Sequence, residues 1–301
     1  MIKQSSTITG LYFIALMICA ISGCYCISVQ PAAAASQGCQ QAKLLYDQAM
    51  DHSDNQEKIR LLEQAADICP SFDIYFQLGN VFGEEKRYSD ARMAYKDAQL
   101  STDEERLQAN ALIMIGGTYE AQEDMQPAIR YFRLAQEIHE NPKVEAHLQD
   151  LFLSQAGEFV SQDNITRALT ESTRSLKGFS ACPKIDLYIH FDLGSYALSR
   201  RDAQQQSVAL GRALKDKALQ GSRILIIGHT DSQGEESYNM ALSMKRAESV
   251  KHFLIRHYPE LTSHLTLATE GKGETRLLVS PETTDRHYAA NRRVEVVVQC
   301  K

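Results

Sequence analysis

No strongly basic tract occurs in the 301-residue chain, and its formal net charge of −6 and pI of about 5.9 oppose the positive surface that nucleic acid demands. Carboxylates and cysteines never gather with histidine at metal-ligand spacing: His190 and His229 stand without such companions, so no metal or other cofactor is expected. His229 lies two residues before Asp231 with Ser232 beside it. Catalytic groups converge from separate segments, so three near-adjacent residues make a poor triad and a hydrolase is the weakest reading. Proline and glycine are scarce from Cys39 to about Lys177, leaving few breakers in that stretch. What is present is a 44% hydrophobic composition, enough to bury a core in each of two domains.

The first 35 residues read as an export signal, with Lys3 as a sparse basic region and an apolar run from Leu11 to Ala20. Three outcomes compete: cleavage after Ala35 in the run Pro31–Ser36, lipidation at Cys24 in the lipobox-like Ile21-Ser22-Gly23-Cys24, or an uncleaved anchor. Cysteine parity favours the first. Cleavage after Ala35 leaves Cys39, Cys69, Cys182 and Cys300, whereas lipidation at Cys24 strands Cys26 as an unpaired thiol. An exported chain with four cysteines belongs in a compartment where disulfides persist, so the periplasm is expected, in association with the outer membrane or cell wall.

Residues 36–177 carry apolar side chains at helical spacing and read as all helix. Aligned against itself, this segment repeats: Tyr75, Leu78, Gly79, Phe82, Ala91, Tyr95 and Ala98 recur as Leu112, Ile115, Gly116, Tyr119, Ala128, Phe132 and Ala135, each displaced by 37 positions. The spacing resembles the tetratricopeptide repeat (TPR), a hairpin of two antiparallel helices. That repeat usually has about 34 residues, and the surplus is expected in the polar stretch Ser101–Arg106. An earlier unit is placed on Leu62, Ala65 and Pro70, and a degenerate later one around Phe152, Phe159 and Ala168. The repeated residues themselves read as interhelical core. Function would lie in the groove that they support, which suits a protein partner that the sequence does not name.

Breakers at Gly178, Ser180 and Pro183 mark a linker over 178–184, and the pattern changes in 185–301. Leu187, Ile189 and Phe191 alternate as a half-buried strand, and Asp202–Leu219 reads as a helix. Ile224–Ile227 is a central strand, Ser237–Tyr258 a second helix, and His264–Ala268 and Arg293–Gln299 complete the strand set. The chain is thus expected to be α+β overall, all-α repeats followed by a βαβαββ sandwich. On the second helix, Arg246 shares the apolar face of Asn239, Leu242, Val250 and Phe253. A buried guanidinium requires an anionic partner, so Arg246 must meet a carboxylate of the protein or of a ligand. Asp231, past the end of the central strand, is the nearest candidate. The two either form an internal salt bridge that fixes the loop or hold a zwitterion, ammonium on the aspartate and carboxylate on the guanidinium fork.

The segment Gly228-His229-Thr230-Asp231-Ser232-Gln233-Gly234, then Tyr238-Asn239, Leu242-Ser243 and Arg246-Ala247, resembles the signature of the OmpA-like family. Phe191-Asp192, Gly271-x-Gly273-Glu274 and Asn291-Arg292-Arg293-Val294-Glu295 extend the resemblance over residues 186–299. It implies a non-enzymatic envelope protein bound to peptidoglycan, whose ligand is the diaminopimelate of the stem peptide. Asp231 and Arg246 match the family's principal contacts, Thr230, Asn239 and Arg292 its supporting ones, and Asp192 is a weaker candidate that would otherwise cap its own turn. Arg293 is turned away by alternation, and Tyr238 is assigned to packing. Tyr288 stands where many members carry arginine, which puts rim contacts in question. The TPR alignment implies a Cys39–Cys69 bridge, and the strand order implied by the family pairs Cys182 with Cys300. The alternative function is an assembly scaffold of the envelope or of a secretion complex, with little wall binding.

Overall fold

The computed structural model describes residues 32–170 and 182–300. The candidate lipidation site at Cys24 lies outside these residues, as does most of the 178–184 linker. The run Ala32–Ala35 falls inside the first helix, α1 (Ala32–Asp51).

Three helical hairpins follow one another: α1 with α2 (Asn55–Ile68), α3 (Phe72–Glu84) with α4 (Tyr88–Leu100), and α5 (Glu105–Glu120) with α6 (Met125–Ile138). Side-chain caps set the starts. Asp54 accepts from the amides of Gln56 and Glu57, and Ser71 from that of Ile74, satisfying donors that an open helix end leaves free. The repeat has a direct steric basis. A Cβ on Gly79 would lie 2.5 Å from the Tyr95 ring and one on Gly116 3.1 Å from the Phe132 ring, so in each hairpin glycine admits the aromatic of the facing helix. The turns repeat too: Lys86 and Glu123, 37 positions apart, each take φ of 58°, a left-handed turn held by non-glycine residues. The surplus falls at the start of α5, which has 16 residues where α3 has 13, and its first two residues, Glu105 and Arg106, belong to the polar stretch expected to hold it. A disulfide joins Cys39 to Cys69 with Cα atoms 5.0 Å apart, closing the first hairpin.

Helix α7 (Pro142–Gln155), capped by Asn141 with Pro142 at its first turn, stacks on α6. The degenerate fourth unit then opens. Phe159 is exposed, and α8 (Gln162–Thr170) leaves the stack: Val160, Ile165 and Leu169 enter the core of the C-terminal domain. The packing division therefore falls ahead of Val160, earlier than the breakers near 178 suggest.

The C-terminal domain is an α+β sandwich. Its strands β1 (Lys184–Leu187), β2 (Arg223–Gly228), β3 (Thr266–Gly271) and β4 (Val294–Gln299) form one sheet in the order β1-β4-β2-β3, with β2 and β3 parallel and the other pairs antiparallel. Ile185, Leu187, Ile224, Ile226, Val294 and Val296 face α9 (Arg201–Ala213) and α10 (Glu236–His257) in one core. The helix expected over 202–219 ends at Ala213, followed by a single 3₁₀ turn at Lys217–Leu219. Short helices α11 (Leu261–His264) and α12 (Asp285–Asn291) flank β3 and β4. A disulfide joins Cys182 to Cys300, with Cα atoms 5.4 Å apart, beside the antiparallel β1–β4 pair.

The half-buried strand expected at 187–191 is corrected on two counts. It spans Lys184–Leu187, and both of its faces are covered, with Asp186 and Tyr188 as buried as their apolar neighbours. The physical reason is the helical stack: α6 and α7 lie over this end of the sheet, Arg133 reaches Asp186, and α12 with Val279 packs on Leu148, Leu151 and Phe152.

Candidate functional site

A cleft of about 380 Å³ opens past the C-terminal ends of β2 and β3, lined in part by Thr230, Asp231, Asn239, Arg246 and Arg292. Three glycines create it by bringing α10 against the strand ends. A Cβ on Gly228 would lie 2.0 Å from the Ser243 carbonyl oxygen, and one on Gly271 2.6 Å from the Met244 amide nitrogen. Gly273 takes φ of 51° and approaches the Met240 backbone, while its own amide donates to Ser243 Oγ at 2.9 Å. The backbone thus turns sharply after β2, and the Thr230 amide bonds the Gly273 carbonyl at 2.9 Å.

Asp231 is 7% and Arg246 6% exposed, yet the internal salt bridge considered from the sequence is not the one formed. Asp231 Oδ2 accepts from Arg292 Nη1 at 2.6 Å, and its Oδ1 accepts from the Gln233 amide at 3.2 Å. Arg246 instead donates through Nε to the Ser195 carbonyl at 3.1 Å and lies over the Phe191 ring, 5.0 Å from its centroid. Burial pushes the Arg246 guanidinium below its ordinary pKa; Asp231 opposes that shift and Arg292 reinforces it. The site therefore holds two arginines facing one aspartate, and among the described residues no carboxylate is hydrogen-bonded to the more buried arginine.

The remaining candidates divide. Thr230 lines the cleft, and its Oγ1 is buried with no hydrogen-bond partner among the described residues. Asn239 braces the loop from within: its Nδ2 donates to the carbonyls of Asp231 at 3.3 Å and Gln233 at 3.1 Å and to Glu274 Oε2 at 2.6 Å. Asp192 is exposed and stays out of the cleft, accepting from Ser199 Oγ at 2.9 Å within its own turn. Arg293 points to the opposite side of the chain and bonds Asp186. Tyr238, assigned to packing from the sequence, is corrected: it is 52% exposed at the rim, because its helix position faces the cleft mouth opposite Leu193 and Gly194.

Two supports carried no assigned role in the sequence. Asn291 is fully buried, accepting the amides of Leu278 and Val279 and donating to Glu282 Oε1 at 2.6 Å. Glu282 in turn accepts the Ser232 amide at 2.9 Å. Together they clamp the loop after β2 to the segment before β4. The Asn291-Arg292-Arg293 motif was the available signal for the first, whereas Glu282 sits in an unpatterned loop.

Residues 190–292 match the OmpA family. Outer membrane protein A of Bordetella avium is 39% identical over 29% of this chain and 46% of its own length. A peptidoglycan-associated lipoprotein of Pseudomonas aeruginosa is 35% identical over 29% of the chain and 50% of its own length. The chain thus spans about half the length of these curated relatives. Among solved structures, the TPR2AB domain of yeast Sti1 is similar at 13% identity, with a TM-score of 0.34 over 76% of this chain and 79% of that one. The C-terminal domain thus matches the OmpA family over residues 190–292, behind helical hairpins that resemble tetratricopeptide repeats.

Proposed function

We propose that the C-terminal domain holds this protein non-covalently to peptidoglycan in the periplasm, in association with the outer membrane, by gripping the diaminopimelate of stem peptides. The observation that carries the reading is Arg246, a buried guanidinium facing an open cleft with no carboxylate among the described residues hydrogen-bonded to it. Such a group is stabilised by an incoming anion, and its planar fork suits a carboxylate. The free end of diaminopimelate carries an ammonium and a carboxylate on one carbon. The carboxylate would take Arg246, the ammonium would share Asp231 with Arg292, and the Thr230 hydroxyl would gain the partner it lacks. The names of the relatives, one an outer membrane protein and one a peptidoglycan-associated lipoprotein, support the same reading.

In this proposal residues 36–177, in the main, are the repeat region that holds a protein partner, and 185–301 the wall-binding domain. A scaffold with little wall binding is the alternative, and retention on isolated sacculi separates the two. Asp231→Asn keeps size but removes the counter-charge for the ammonium, and Arg246→Lys keeps charge but loses the fork. Truncating one partner of a desolvated charge pair costs about 2–5 kcal/mol, so each variant should lose more than tenfold in retention on sacculi that contain diaminopimelate while melting close to wild type. Retention unchanged in both folded variants would move the ligand site elsewhere.

A further inference from the structure

A second ionic cluster lies under the helical stack, on the sheet face away from α9 and α10. Asp186 on β1 receives two guanidiniums, Arg133 Nη2 from α6 at 2.5 Å and Arg293 Nε, just before β4, at 2.7 Å. Arg293 is fixed further by donating to the carbonyls of Asn291 at 3.3 Å and Arg276 at 3.1 Å. Arg133 lies over the Phe152 ring, 4.7 Å from its centroid, boxed between α7 and β1. Glu295, opposite Asp186 in the register, meets His229 Nε2 at 3.2 Å.

Charge pairs of this kind often do no more than join two packed units. The covalent neighbours of this one indicate a further role. Arg293 directly follows Arg292, whose guanidinium lies 2.6 Å from Asp231 in the cleft, and His229 stands two residues before Asp231. From the bend that ends α12, Arg292 reaches Asp231 and Arg293 reaches Asp186, so the two arginines share one short stretch of chain but serve the two faces. Whatever fixes Arg293 also fixes the point from which Arg292 reaches Asp231.

We infer that Arg133, a residue of the helical repeats, is a positioning residue for the cleft of the C-terminal domain. It anchors Asp186, Asp186 anchors Arg293, and Arg293 sets the backbone from which Arg292 faces Asp231. The repeats and the OmpA-like domain are then one binding unit, and a partner that displaces α6 would weaken the grip on the ligand. The inference rests on the proposed reading of the cleft for its consequence, though not for its geometry.

The test uses the full chain carrying Arg133→Met, Arg133→Lys or Leu151→Val, read by retention on sacculi and by amide hydrogen exchange over residues 228–232 and 291–294. Arg133→Met keeps length and loses charge. It should lower retention about fivefold, the low end for coupled sites, and raise exchange in both segments. Arg133→Lys should recover part of each, and Leu151→Val, which loosens the same apolar interface at a residue outside the ionic chain, should leave both near wild type. The inference is overturned if Arg133→Met matches wild type, or if Leu151→Val is as damaging, since the cluster would then be mere glue. Should Arg133→Met fail to fold, Arg133→Lys against Leu151→Val carries the comparison. If wild type itself is not retained, the reading of the cleft fails. Exchange then decides alone, unchanged rates overturning the inference and raised rates supporting it.

Discussion

Asp186 and Asp231 are equally hidden, 8% and 7% exposed, and each has two arginines around it. They differ in saturation. Asp186 takes one guanidinium on each oxygen, so the cluster is closed. Asp231 takes one arginine, while Arg246 turns to a backbone carbonyl and an aromatic face at the wall of an open cleft. Burial therefore does not tell the closed carboxylate from the one proposed to bind. The unspent guanidinium does, because a guanidinium that the fold leaves, among the described residues, without a hydrogen-bonded carboxylate is what a ligand anion can satisfy.

The comparison breaks most directly at Asp186. Burial alone would raise its pKa, but the charges of Arg133 and Arg293 outweigh that and hold the carboxyl well below the usual carboxylate range. Asp186→Asn leaves two buried guanidiniums short of charge and should cost about 3–5 kcal/mol, measured by urea unfolding. The pH dependence has a definite sign. With the folded pKa depressed, the stabilisation is complete above the unfolded value of about 4 and is lost as pH falls from there toward the folded pKa. The variant should therefore show a shallower loss of stability below about pH 4 than wild type. A variant as stable as wild type would mean that the cluster is not closed in solution.

Gly228→Ala comes next. Its Cβ would sit 2.0 Å from a backbone oxygen of α10, an overlap that no side-chain rotation relieves. Helix and strand must separate, at about 1–3 kcal/mol. Because that contact brings Arg246 to the same cleft as Asp231, the folded variant should also lose retention on sacculi. Lost stability with retained binding would show that the two groups do not depend on this approach.

How much of this was legible in the sequence follows from the range of each contact. The repeats were readable because Gly79 with Tyr95, and Gly116 with Phe132, solve the same steric problem twice at one spacing. The cleft loop was readable because Gly228, Thr230 and Asp231 are near neighbours and Arg246 breaks an apolar helix face. The pairing of Asp231 with Arg292 spans 61 positions and that of Arg133 with Asp186 spans 53, and no periodicity encodes either. Strand alternation assumes one wet face, so it missed Asp186 and Tyr188 beneath α6 and α7. The departure of α8 was hidden for a related reason: its apolar stripe suits a fourth hairpin or the sandwich core equally well, and only the assembled sheet decides.

The smallest expected effect belongs to Tyr238, and it tests whether the cleft mouth belongs to the fold or to the ligand. The tyrosine follows the helix start by two residues, an aromatic between charged and polar neighbours that the sequence reads as packing. In the structure it is half exposed beside Gly194 and the fully exposed Leu193, at the cleft mouth rather than in the core. Truncating a side chain that is already in water removes little buried area, so Tyr238→Ala should change stability by no more than about 0.5 kcal/mol. Retention on sacculi should fall by about two- to threefold, since a rim residue excludes water around the central charges without pairing with the ligand itself. The readings part at the melting temperature. A fall of more than about 4 °C would put Tyr238 among the packed residues and close the cleft mouth to a ligand. An unchanged melt with weakened retention would leave Arg246 and Asp231 as the centre of the grip and Tyr238 as part of its wall.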